Sequence, residues 1–267
     1  MPEKTEARPV TGNSRGMVSV LMARFSALGD VAMTIPVIYS ACRCYPDIRF
    51  VMLTRPALTS IFINAPANLQ VVGADVKHEY KGILGLRRLA SEIRREFRPD
   101  AFLDLHNVLR TNALGFFLGI RGIHKYTLQK SRARRRALTR RRNKVMLPLI
   151  SQRARYREVF FQAGIAVNEC FNGLYEGRAQ APEAAFACIT RPKTSLDEKW
   201  VGIAPFAAHQ GKIYPPELME QVLDRLIADT ARPLKVFLFG GGGREAEILA
   251  GWAGKHPGKV ISLAGKK

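Results

Sequence analysis

Val18–Pro36 reads VSVLMARFSALGDVAMTIP, and how it is read decides the fold. Val18, Val20, Leu21, Met22 and Ala23 form a short apolar run with β-branched members, about the length of a core strand. Ser26-Ala27-Leu28-Gly29-Asp30 follows as a tight turn, and a helix is expected to run on from it through Ile38 and Tyr39. Gly29 suits a backbone conformation that a Cβ would forbid, or a place where a ligand comes close. Asp30 falls at or near the helix N-terminus, and two readings are open there. A carboxylate in that position caps the helix and complements its dipole. It also lies just past the carboxyl end of a strand, where open α/β sheets bind ligands, and so suits a catalytic base.

Outward from this stretch the chain alternates strand and helix. Arg49–Thr54, Leu69–Val72, Ala101–Leu105 and Ile123–Tyr126 read as strands. A short helix is expected over Ala57–Asn64, a longer one over Gly82–Phe97 and another over Arg110–Leu118. In the Gly82–Phe97 helix, Ile83, Leu84, Leu86, Leu89, Ile93 and Phe97 fall on one apolar stripe. Such alternation predicts a parallel sheet with crossover helices. Between Arg121 and Arg157 there are 14 Lys or Arg and no Asp or Glu. The centre of that segment, Lys130–Lys144, is either a solvated face or an arm that contacts a polyanion. Tyr156–Gly164 resumes as an amphipathic helix using Val159, Phe160 and Phe161.

Glu169–Glu198 is irregular and proline-bearing. A second unit then reads strand (Lys199–Ala204), loop, helix (Pro216–Asp229), strand (Leu234–Phe239), glycine loop (Gly240–Gly243), helix (Arg244–Trp252) and strand (Val260–Leu263). No helix follows to cover a face of that last strand, so a chain truncated from something longer is expected.

The chain has 267 residues, 47% of them hydrophobic and 24% charged, enough for one large domain or two ordinary ones. No apolar run reaches the roughly 18–20 residues of a membrane span. Residues 1–16 are polar, lack the core of a secretory signal, and are expected to be a loose tail. Cys42, Cys44, Cys170 and Cys188 show no metal-ligand spacing and are expected to be free thiols. A net charge of +20 draws polyanions: nucleic acid, anionic membrane or phosphorylated substrates.

The candidate chemistry gathers at strand–loop–helix junctions. Backbone N–H groups of Gly240–Gly243, Gly240 and Gly241 among them, suit a phosphate at a helix N-terminus, although the run matches no named phosphate-loop motif. Glu245 either hydrogen-bonds a ribose or complements the helix N-terminus. Lys212 suits a phosphate partner or is simply solvated. His106 and Arg110 follow the fourth strand in Asp104–Thr111, with Asp104 placed to orient a neighbour.

Ser26–Pro36, SALGDVAMTIP, resembles the N-terminal signature of the glycosyltransferase family 9 heptosyltransferases. Asp104–Thr111, Trp200–Pro215 and Phe237–Glu245 resemble later segments of that family in the same order, so the likeness runs over residues 17–267. The resemblance implies a GT-B-type α/β fold of two Rossmann-like parallel-sheet domains across a cleft, the second incomplete here. It places an acceptor domain at 17–180 with the basic segment 121–157, a linker at 181–198 and a partial nucleotide-sugar domain at 199–267. It implies an inverting transfer of heptose, without metal or other cofactor, from a nucleotide-sugar such as ADP-heptose to an anionic Kdo–lipid A-like acceptor. Asp30 matches the general base, and Lys212 the lysine on the donor phosphates. Gly240, Gly241 and Glu245 fall on the donor side; Gly29, His106, Arg110, Arg134 and Arg135 fall on the acceptor side. Closure of the two domains would assemble the site. A monomer at the inner face of the bacterial inner membrane is expected, with no nucleic acid bound.

Two departures stand beside the likeness. Ala207 and Ala208 precede Lys212 where the family often has small hydroxyl residues, and the family's Asp-[Thr/Ser]-Gly-x-x-His donor motif does not occur. Two other readings remain, a truncated inactive remnant and a basic nucleic-acid binder. The second lacks any RRM, KH or helix-turn-helix signature, and its basic arm carries no interleaved aromatics.

Overall fold

Strand β1 (Ser19–Ala23) is buried along its whole length, as a strand at the centre of a sheet covered on both faces must be. The computed structural model describes residues 19–176, 186–193, 197–228 and 233–265. Val18, the 1–16 tail and, within the segment read as a linker, residues 181–185 and 194–196 fall outside these residues. The chain divides into two compact units, Met1–Arg178 and Ala179–Lys267.

In the first unit β1, β2 (Arg49–Thr54), β3 (Leu69–Gly73), β4 (Ala101–Asp104) and β5 (His124–Thr127) form one five-stranded sheet, ordered β3-β2-β1-β4-β5. All four pairings are parallel, with Leu21 opposite Val51 on one side and Phe102 on the other. Alternate side chains of β1 feed two cores. Val20 and Met22 pack with α2 (Ile35–Cys44) and α6 (Gln152–Gln162) through Ile38 and Phe160. Leu21 and Ala23 pack with α3 (Gly82–Phe97) and α4 (Leu109–Gly119) through Leu89, Ile93 and Leu114. Because every strand runs the same way, every strand-to-helix junction of this unit emerges at one edge, the carboxyl edge.

Several sequence expectations are corrected. The helix after the first strand is two helices, α1 (Leu28–Ala32) and α2, because Pro36 cannot donate to the ladder and its ring would strike the carbonyl of Ala32. Pro36 instead occupies the first turn of α2, where its missing N–H costs nothing. Gly29 sits inside α1 without a left-handed φ, and a Cβ there would meet nothing within 4 Å, so no turn geometry demands a glycine. The expected helix over Ala57–Asn64 is a 3₁₀ turn over Pro56–Ile61. Ile83 and Leu84 are exposed, unlike Leu86, Leu89, Ile93 and Phe97. Ile83 falls at the margin of that stripe, and Leu84 falls on the opposite side of α3, with Arg87, Arg88 and Ser91. Phe161 is likewise exposed, while Val159 and Phe160 are buried.

The second unit carries a three-stranded parallel sheet, β6 (Lys199–Ile203), β7 (Leu234–Leu238) and β8 (Val260–Ser262), in the order β6-β7-β8. Helices α7 (Pro216–Ala228) and α8 (Arg244–Lys255) contribute Leu223, Ile227, Leu249 and Trp252 to its core against Val236 and Leu238. The four cysteines are free thiols, and burial pushes the Cys42 thiol up to about 12, which keeps it protonated and inert. Among the described residues no helix is long and apolar enough to cross a membrane.

Candidate functional site

At the carboxyl edge of the first sheet, Asp30 is anchored by a residue that ends β1. Arg24 follows the strand directly, and its side chain is almost wholly buried. Its Nη1 donates to the Leu105 carbonyl at 2.6 Å, and its Nη2 reaches Asp30 Oδ2 at 2.7 Å. The guanidinium lies 5.6 Å from the centre of the Tyr156 ring, and the Tyr156 hydroxyl donates to the Asp30 carbonyl at 3.1 Å. One cation thus ties together β1, the end of β4, α1 and α6. The Asp30 side chain stays 44% exposed, and its Oδ1 has no hydrogen-bond partner among the described residues. Asp30 does not cap α1, whose N-cap residue Ala27 makes no side-chain cap bond. It occupies the first turn with one oxygen clamped and the other facing solvent.

His106 lies beside this group. Its Nδ1 accepts from the Phe25 N–H and its Nε2 lies 3.4 Å from Ser26 Oγ. Burial, then the nearby Arg24 charge, push the imidazole down to about 4, so it is neutral near pH 7. A neutral ring that accepts at Nδ1 carries its proton on Nε2, and the Ser26 hydroxyl is the acceptor within reach. Asp104, fully buried at the end of β4, holds the following turn: its Oδ1 accepts from the backbone N–H groups of His106 and Asn107 at 3.0 and 2.7 Å. Its Oδ2 pairs with Lys125 Nζ at 3.1 Å, which offsets the cost of burying the charge. Lys130 Nζ donates to the Asn107 carbonyl, and burial together with Arg132 holds its pKa below the ordinary lysine value.

The structure therefore brings Gly29, Asp30 and His106 to one edge. Arg110 lies in the first turn of α4, on the same edge, and is exposed. Arg134 and Arg135 lie on α5 (Arg132–Thr139), a helix with no buried residue, just after Lys130. Sequence reasoning passed over Arg24, Tyr156 and Lys130. The available signal was a lone arginine closing an otherwise apolar strand.

In the second unit two loops leave the carboxyl ends of the adjacent strands β6 and β7. The first runs from Ala204 to a 3₁₀ turn, Gln210–Lys212, and leaves Lys212 exposed. The second is Gly240–Gly243. Gly240 is closely packed: a Cβ there would lie 2.7 Å from Leu249 Cδ1, and that buried side chain would have to shift to admit it. Gly243, the N-cap of α8, takes φ 63° and ψ −135°, a region that side chains exclude. Glu245 turns back on this loop, and its Oε2 accepts the Gly241 N–H at 2.7 Å.

No family model and no curated protein matches this sequence. Solved structures do match. A glycosyl transferase family 9 protein of Veillonella parvula superposes with a TM-score of 0.62 at 19% identity, over 96% of this chain and 72% of that one. E. coli heptosyltransferase WaaC with ADP gives 0.60 at 19%, over 92% and 75%. E. coli ADP-heptose lipopolysaccharide heptosyltransferase II gives 0.57 at 16%, over 94% and 73%. The chain has the fold of the family 9 glycosyltransferases. Its two parallel α/β units are those of a GT-B architecture, and the expected fold class is what the structure shows.

Proposed function

We propose that the protein is an inverting, metal-independent glycosyltransferase that moves a heptose from a nucleotide-sugar, ADP-heptose, to an anionic lipopolysaccharide-core acceptor. The observation that carries this reading is the Asp30 carboxylate, with Oδ2 fixed by buried Arg24 and Oδ1 open at the carboxyl edge of the sheet. WaaC, which shares the fold, has been solved with ADP and with ADP-2-deoxy-2-fluoro heptose, which supports the choice of donor.

In this mechanism an acceptor hydroxyl attacks the anomeric carbon while Asp30 Oδ1 takes its proton. The bond between that carbon and the diphosphate oxygen breaks, and the nucleoside diphosphate departs with the electron pair. Attack from the face opposite the leaving group inverts the centre. Lys212, in the second unit, neutralises charge on the departing phosphates, with the N–H of Gly240 beside it, the Gly241 N–H being held by Glu245. His106, Arg110, Arg134 and Arg135 meet the carboxylates and phosphates of the acceptor. The cationic surface suits work at the inner face of the inner membrane, with the enzyme peripheral to it.

Thermal-shift titration tests the donor. ADP-heptose is expected to raise the melting temperature in proportion to its affinity, more than UDP- or GDP-sugars do. No shift with any nucleotide-sugar overturns the proposal.

A further inference from the structure

The outer surface of α3 and α4 has no place in the chemistry above, yet it is unusual. The two helices lie side by side on one face of the first sheet, and a groove runs between them. Its upper part is lined by Leu84, Arg87, Phe117 and Ile120, and its lower part by Arg94, Arg95 and Arg98, with Ser91 and Arg121 common to both parts. Among the described residues the side chains of Arg87, Arg94, Arg95, Arg98 and Arg121 make no ion pair or hydrogen bond. The acids nearby are otherwise engaged or turned away. Glu92 accepts from the Tyr80 hydroxyl and faces Arg88, Asp100 lines the lower part but spends its Oδ2 on the Ser19 N–H, and Glu96 does not line the groove.

Large apolar side chains stand among these cations. Leu84 is 78% exposed, Ile120 66%, and Phe116, edge-on to Phe117, 64%. Leaving such residues in water on helices that already supply a complete core stripe costs free energy with no return inside the fold. Unpaired arginines interleaved with exposed Leu, Ile and Phe on helices lying flat are the composition of an interfacial membrane surface, where cations meet anionic headgroups and apolar side chains enter the boundary beneath them.

We infer that the α3–α4 face docks the protein on an anionic phospholipid bilayer. A second copy of this chain is a poor occupant, since it would bring an equally cationic groove on a chain of net charge +20. A nucleic acid would use the arginines and leave Leu84, Phe116 and Ile120 in water. The inference deepens the membrane reading given under the proposed function and borrows the bilayer from it, but it needs no catalysis, so the two can fail separately.

Co-sedimentation with phosphatidylglycerol–phosphatidylcholine vesicles tests it. R94Q/R95Q/R98Q is expected to weaken binding on the order of a hundredfold, at about 1 kcal/mol per cation removed. L84S/F116S/I120S is expected to weaken it at least about tenfold, and both variants should keep the wild-type melting temperature and ADP-heptose shift. Wild-type vesicle binding by the arginine variant overturns the inference and hands the membrane contact to α5. Full binding by the serine variant, with an RNA oligomer competing for the same arginines, overturns it in favour of a general polyanion groove. Loss of the ADP-heptose shift in wild type, with vesicle binding intact, refutes the proposed activity and leaves this face standing.

Discussion

Two acids occupy the first turn of a helix that follows a parallel strand, and their partners could hardly differ more. After β1, Asp30 is gripped from below by Arg24, a side chain rooted in the sheet, and offers its second oxygen to solvent. After β7, Glu245 folds back on its own loop and takes the Gly241 N–H. The first acid is held in place for something outside the protein. The second satisfies a loop N–H two residues ahead of the Gly243 N-cap, and so removes that N–H from the set a phosphate would use. Position on the fold alone does not make a site; what occupies the carboxylate oxygens decides it.

The sharpest way to break this contrast is Asp30→Asn. With the base gone, transfer is expected to fall about 10²–10⁴-fold while ADP-heptose affinity is unchanged, measured by product formation and by donor titration. Wild-type turnover would leave Asp30 as a surface acid with a buried partner. Next comes Arg24→Gln. The carboxylate loses its clamp and the Leu105 carbonyl its donor, so turnover is expected to drop about tenfold or more and stability by about 2 kcal/mol. If Asp30 is only structural, the stability loss appears without any change in kcat.

These effects also mark what a sequence can show. The strands were legible because a sheet buried on both faces writes continuous apolar runs, as in Val20–Ala23 and Phe50–Leu53. The placement of Asp30 at a carboxyl edge followed from those strands and the turn after them. Its partner Arg24 is close in sequence, a lone arginine closing an apolar strand, but what fixes that arginine is not: the Arg24–Leu105 bond spans 81 residues and no local pattern records it. The break between α1 and α2 was signalled by Pro36, but the apolar residues on either side of it imitated one helix. Ile83 and Leu84 misled in the other direction: being apolar, they read as part of the stripe, although Ile83 stands at its margin and Leu84 turns to the side of Arg87 and Arg88.

Within the second unit, Lys212→Ala is expected to weaken nucleoside diphosphate binding about tenfold, since an exposed ammonium contributes roughly 1–2 kcal/mol to a phosphate contact. Glu245→Ala should cost about 1 kcal/mol of stability, as loss of a loop hydrogen bond does, and change donor affinity less than Lys212→Ala. A larger donor effect from Glu245 would mean that its carboxylate leaves Gly241 for a ribose when donor binds, and the contrast between the two junctions would then dissolve.

A further effect concerns pH. His106 titrates near 4 in the folded protein, against about 6.5 for a free imidazole, because burial and Arg24 oppose its charge. Below pH 6.5 the unfolded chain gains a proton that the folded one refuses, so unfolding becomes easier as pH falls, until the folded imidazole also titrates near 4. Partial exposure of the ring limits the swing to about 1–2 kcal/mol. Urea denaturation of wild type and His106→Gln across this window isolates it. The glutamine variant should lose that component of the pH slope. An identical slope in the two proteins would mean that the ring charges freely in the fold, and that the Arg24 cation does not govern its neighbour as it governs Asp30.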